Sequence, residues 1–221
     1  MPAVSGDILR KLTNTPGHVS KLPTFHIMLK VKLFVDIQND FVTGAFKSSL
    51  AQTRLPSIIR FLKAEEDPEV TVLNIATKRT NEEDYLETLE GKSLPIPYCM
   101  VGTEGHKLCS EFNSALAATQ YHRVFLTYTY GSLLVPAEID VFRYEHGIDD
   151  EDIEIEICGF DAARDVLSHA VIMRNYFPEA PITVYMNLCA GSPNVKKDLQ
   201  LHFVDSLRAI GINVTFYDYK V

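Results

Sequence analysis

Short apolar runs rich in β-branched residues recur along the chain at Lys32 to Ile37 (KLFVDI), Val70 to Ala76, Arg123 to Tyr128, Ile153 to Cys158, Ile182 to Met186 and Ile212 to Phe216. Each is brief and nearly continuous, as strands buried on both faces are. Between them apolar residues recur at helical spacing: Leu55, Ile58, Ile59 and Leu62; Leu108, Phe112 and Leu116; Val166, Ala170 and Met173; Leu199, Phe203, Leu207 and Ile210. The alternation predicts an α/β fold, a three-layer α/β/α arrangement around a mainly parallel, doubly wound, Rossmann-like sheet of about six strands. Ile153 to Ile157 departs from the pattern by alternating with Glu154 and Glu156, so one side of that strand is expected to be less buried.

Residues 1–28 lack any sustained periodicity and carry prolines and turn residues. They read as an N-terminal extension ahead of one domain at 29–221, with Met28 itself a natural start for a domain opening on a strand. The extension is either a loosely ordered tail or, through Ile8, Leu9, Leu12 and Phe25, an arm that docks on a neighbouring subunit.

Composition narrows the function. The 221 residues suffice for one sizeable core. A net charge of −8 disfavours non-specific binding to nucleic acid or to an anionic membrane. No apolar run approaches the length of a membrane span, and no secretory signal opens the chain. Cys99, Cys109, Cys158 and Cys189 show neither zinc-ligand spacing nor a disulfide framework, which points to a reducing, cytoplasmic setting and a soluble protein.

In a doubly wound sheet ligands collect beyond the carboxyl ends of the strands. The first strand ends in Val35-Asp36-Ile37-Gln38-Asn39-Asp40-Phe41, with an acid placed as a general base would be. The fourth ends in Cys158-Gly159-Phe160-Asp161-Ala162-Ala163-Arg164-Asp165-Val166. A glycine turn entering a helix there predicts free backbone N–H groups suited to an anion or oxyanion.

The run VDIQNDF at 35–41 resembles the opening signature of the isochorismatase-like cysteine hydrolases, the superfamily that includes nicotinamidases. Tyr85 to Gly105, Tyr128 to Ser132, Glu156 to Ala170 and Asn187 to Gly191 are similar to further segments of that family in the same order, covering about residues 30–217. The resemblance implies a triad of Asp, Lys and Cys that passes through a thioester with an amide or related substrate. Asp36 matches the Asp. Thr127 stands at the Lys position, and Asp165, six residues after Gly159, stands at the Cys position.

A carboxylate is a far weaker nucleophile toward amides than a thiolate. Without the lysine, Asp36 and Asp165 are expected to face each other as like charges, raising the pKa of one. Cys158 and Cys189 read as buried small hydrophobes rather than substitute nucleophiles. Where nicotinamidases carry an Asp-x-His metal pair this chain has Arg79 and Asn81, and its seven histidines, read as surface or helix residues, lack ligand spacing. No metal and no cofactor is expected. Phe41, Arg79, Phe160 and Arg164 are the candidate pocket residues; the two arginines either bind an anionic ligand or neutralise Asp36 and Asp165.

These residues predict a scaffold without hydrolase chemistry that binds a protein partner, its own copies or a small molecule. The family resemblance implies a homo-oligomer. The alternative is an active hydrolase of an amide or related molecule with a site rearranged around Asp36 and Asp165, the two acids sharing a proton.

Overall fold

A computed structural model describes residues 28–191 and 197–219, with the side chains of 150 and 197–201 outside the description. Six strands form one sheet: β1 (Met28–Val35), β2 (Val70–Arg79), β3 (His122–Thr127), β4 (Ile153–Phe160), β5 (Ile182–Ala190) and β6 (Asn213–Thr215). All neighbours pair in parallel, in the order β3-β2-β1-β4-β5-β6. The expected α/β class, layering and strand number are all present.

Among the described residues seven α-helices accompany the sheet: α1 (Asn39–Val42), α2 (Ser49–Leu62), α3 (Leu89–Ser93), α4 (Ser110–Ala117), α5 (Leu134–Glu145), α6 (Leu167–Tyr176) and α7 (Lys197–Ala209). Right-handed crossovers put the helices that lead outward from β1 to β3 on one face and those that lead from β4 to β6 on the other. The contacts agree, since α2 packs on α4 while α6 packs on α5 and α7. The sheet is apolar through its centre: Leu29, Val31, Leu33 and Val35 of β1, and Ile153, Ile155 and Ile157 of β4, are buried between the helical layers.

The chain turns from one direction of winding to the other between β1 and β4. That switch point lies at the carboxyl ends of these two strands, the place where doubly wound sheets hold ligands, and Asp36 and the segment carrying Asp165 emerge there.

The boundaries depart from the hydrophobic pattern in an instructive way. β1 opens at Met28, one residue before the expected boundary, and closes at Val35. The pattern had Asp36 within the strand, but the backbone has already left the sheet there, with a left-handed φ of 51°. β2, β4 and β5 run on past the expected ends to Arg79, Phe160 and Ala190; in β2 the added residues Thr77 and Arg79 are polar and buried. Helix α5 is absent from the periodic segments of the sequence. Its buried residues Val135, Ile139 and Phe142 have helical spacing, but exposed Leu133, Leu134 and Val141 blur the stripe.

The extension at 1–28 lies outside the described residues apart from Met28, and with it the proposed arm residues Ile8, Leu9, Leu12 and Phe25. Among the described residues no helix is long and apolar enough to cross a membrane.

Candidate active site

Asp36 sits just beyond β1 and is fully buried. Its Oδ1 accepts a 2.6 Å hydrogen bond from the Thr77 hydroxyl and a 3.1 Å bond from the Arg79 backbone N–H, while Oδ2 has no hydrogen-bond partner. Burial raises the Asp36 carboxyl to about 6, against the opposing pull of Thr77 and Arg79.

Asp165 lies in a single π-helical turn, Ala162–Val166, that leads from β4 into α6. It too is buried, and neither carboxylate oxygen has a hydrogen-bond partner. Burial first, and the Asp36 charge second, push its carboxyl well above the usual carboxylate range. The expected like-charge pair is therefore present, and both acids are displaced toward the protonated form. Its backbone carbonyl accepts a 2.8 Å hydrogen bond from His169 Nδ1, and burial lowers the His169 imidazole to about 4, so that it is neutral near pH 7.

Thr127 ends β3, buried, with its hydroxyl unpartnered. It pairs in register with Arg79 on β2. The positive charge missing at position 127 is thus supplied one strand over. The Arg79 guanidinium has Nη1 3.9 Å from Asp165 Oδ1, donates from Nε to Asn81 Oδ1 at 3.1 Å, and pairs through Nη2 with Glu90. Glu90 in turn accepts from the Tyr98 hydroxyl at 3.0 Å, and the Tyr130 ring lies 5.2 Å from the guanidinium. Burial opposes the Arg79 charge, but Tyr98, Asp165 and Glu90 outweigh it and hold the guanidinium more firmly protonated than usual.

The other arginine reaches Asp165 by charge but bonds a different acid. Arg164 Nη2 donates to Asp161 Oδ2 at 2.7 Å, a pair three residues apart along the same turn, and makes no hydrogen bond to Asp165. The same Asp161 takes three donors of the turn where an anion cradle was expected: its Oδ1 accepts from Ala163 N–H and its backbone carbonyl from Arg164 and Val166 N–H. Gly159 is required just upstream: its φ is +133°, and a Cβ there would meet the Val35 carbonyl oxygen at 2.1 Å.

Phe41 and Phe160 are brought to the site but as packed core. Their rings lie 6.1 Å apart, and Phe41 also stacks edge-on against Phe46 and Tyr98. Cys158 and Cys189 are buried, and burial raises their thiols, that of Cys189 to about 12. That is the state of small hydrophobes. His106 is a correction: it is a buried loop residue whose ring lies 3.1 Å from the Thr80 hydroxyl, neither on the surface nor in a helix. The acidic stretch Glu82-Glu83-Asp84 is exposed.

Sequence reasoning missed Glu90, Tyr98 and Tyr130. A signal existed for the first, because a buried arginine requires an acid to pair with. The result is a closed electrostatic cluster: two carboxyls, one guanidinium, its own carboxylate partner, and aromatic walls.

No protein-family profile and no curated protein sequence matches the chain significantly. Solved structures do. The nicotinamidase PncA of Bacillus subtilis superposes with a TM-score of 0.63 at 20% identity, over 84% of this chain and 98% of that one. An isochorismatase-like hydrolase of Alkaliphilus metalliredigens gives 0.61 at 15% identity, over 85% and 94%. The pyrazinamidase of Pyrococcus horikoshii in complex with zinc gives 0.64 at 13% identity, over 85% and 99%.

A divalent metal does not fit the corresponding residues here. Arg79 brings a cation, and Asn81 is already engaged, with Oδ1 held by Arg79 and Nδ2 donating to the Tyr98 carbonyl at 2.7 Å. Ordered motifs along the sequence and the superposition of nearly whole chains agree on one conclusion: this protein has the fold of the isochorismatase-like hydrolases.

Proposed function

We propose that this chain is a catalytically silent version of the hydrolase fold that works by binding, in an assembly of its own copies or on a partner protein. The observation that carries the reading is the closure of the switch-point crevice around Arg79 and Asp165. An acyl-transfer site needs a nucleophile, a cation that lowers its pKa, and room for a substrate. Here the nucleophile position holds a carboxyl pushed toward its neutral form, the lysine position holds a threonine, and the cation is committed to Glu90.

The surface supports assembly. On β3, an edge strand, Val124 and Leu126 are exposed, as are Tyr128 just beyond it and Leu133 and Leu134 further on. An unpaired edge with an apolar face is a feature that isolated chains usually avoid. A second copy of the chain is the occupant we assign to it. The net charge argues against nucleic acid or membrane as the partner, and four unpaired cysteines favour an intracellular setting.

One observation favours a second reading. The coupled acids Asp36 and Asp165, both with raised pKa values, are what a proton-sharing acid–base pair looks like. An active hydrolase built on them would require the cluster to open.

Rebuilding the triad separates the two. Thr127→Lys with Asp165→Cys leaves Arg79 in place, and we expect no nicotinamide hydrolysis and slow labelling of the introduced thiol. Adding Arg79→Ala should speed that labelling and permit turnover. Equal labelling with and without Arg79 would show that the site was open all along.

A further inference from the structure

We propose a second ligand site, for an organic ammonium ion, at the amino-terminal half of the sheet. It lies six residues up β1 from Asp36, about 20 Å along the strand, and it stands whether or not the crevice at the other end is catalytic.

The Glu154 and Glu156 alternation in β4 lines a cavity of about 680 Å³ there. Glu65 and Glu66, which follow α2, and Asp218 near the end of the described chain add three more carboxylates. Against these five acids the lining holds two cations, Lys30 and Arg60. Lys30 bonds Glu66 at 2.9 Å, and approaches Glu154 and Glu156 only to 3.8 and 4.0 Å. Lys32 takes the other oxygen of Glu66 at 2.7 Å.

Glu156 is the residue left over. It is only 4% exposed, its Oε1 accepts the Tyr185 hydroxyl at 2.6 Å, and its Oε2 has no hydrogen-bond partner. Burial is the main force that raises its pKa. A buried carboxylate oxygen without a donor is costly, and a ligand N–H⁺ at the cavity wall offsets that cost.

The walls select the kind of cation. Tyr185, Tyr217 and Tyr219 meet edge to face at centroid distances of 5.1 and 5.0 Å, which turns ring faces toward more than one direction. This aromatic surface already receives one of the chain's own cations: Arg60 lies 4.1 Å over Tyr219. Among the described residues no three acids, histidines or cysteines gather closely enough to hold a metal ion. Dispersed carboxylates with tyrosine faces suit a cation with an apolar body rather than a chelated metal.

Calorimetric titration of the full chain with putrescine and with tetramethylammonium, at constant ionic strength, tests this. At least one should bind saturably at one site per chain. E156Q, which keeps the bond to Tyr185, and Y219L should each weaken that binding about tenfold or more, with thermal melts showing both variants folded. E154Q, on a half-exposed neighbour, gives a second reading of the same wall and should weaken binding less than E156Q. The proposal is overturned if neither amine gives saturable heat, if affinity is unchanged in E156Q and Y219L, or if magnesium chloride displaces the amine at equal charge concentration.

Discussion

Arg79 Nη1 stands 3.9 Å from Asp165 Oδ1, and neither side chain is more than 1% exposed. By the family resemblance these are the positions of a metal-binding acid and of the nucleophile, and here they hold a cation and an acid instead. Their charges are opposite in sign, and each shifts the pKa of the other. Glu90 and Tyr98 complete the cluster by giving the guanidinium a partner away from Asp165.

Removing the cation should therefore be costly. Arg79→Leu leaves Glu90 and Asp165 without their charge partner in a buried setting, and we expect a loss of about 3 kcal/mol in urea denaturation. The double variant with Asp165→Leu should recover part of that loss, because the two sites share one interaction. A neutral Arg79→Leu would mean that the cluster is not held by charge.

Stability should carry the signature of the raised acids. The Asp36 carboxyl goes from 3.8 to about 6 on folding. Between those values the folded chain holds a proton that the unfolded chain has released, so this contribution is fully present below 3.8 and is lost as pH rises through about 6. Asp165 acts in the same direction. Asp36→Asn, which keeps an acceptor for Thr77, should become more stable relative to the unsubstituted chain as pH rises from about 4 to about 7. Denaturation midpoints of the two proteins across that range check the sign, and a constant difference would contradict it.

Much of the fold was legible in the hydrophobic pattern because strands buried on both faces are apolar almost without interruption. Six strands could be placed along the chain, but their order in the sheet, and with it the switch point between β1 and β4, came from the structure. Asp36, Arg79 and Asp165 were found by position along the chain. Their geometry was not, for two reasons. Asp36 has a left-handed backbone that periodicity does not record, and the Arg79 partner Glu90 sits on α3 of a long β2–β3 connection, eleven residues away, where no spacing rule points to it. Arg164 acts on Asp165 through charge alone, because its nearer acid, Asp161, lies one turn back and takes the hydrogen bond.

The exposed face of β3 predicts an interface. Leu126 and Val124 are each 45% exposed on an edge strand. We expect light scattering to give a mass in solution above that of one chain, and Leu126→Glu to bring it down to one chain with little change in thermal midpoint. Surface apolar-to-charged changes away from interfaces shift stability by only about 0.5 kcal/mol, so a large drop in midpoint would instead show that Leu126 belongs to the core.

The claim that the hydrolase chemistry is gone is tested most directly by the chain itself. Purified protein is incubated with nicotinamide, pyrazinamide and a panel of further small amides, and ammonia release is compared with the same preparation of Asp36→Ala. Silence predicts rates equal to the variant and to buffer for every compound. Turnover above background that Asp36→Ala abolishes would contradict it and install the rearranged Asp36–Asp165 site as an active centre.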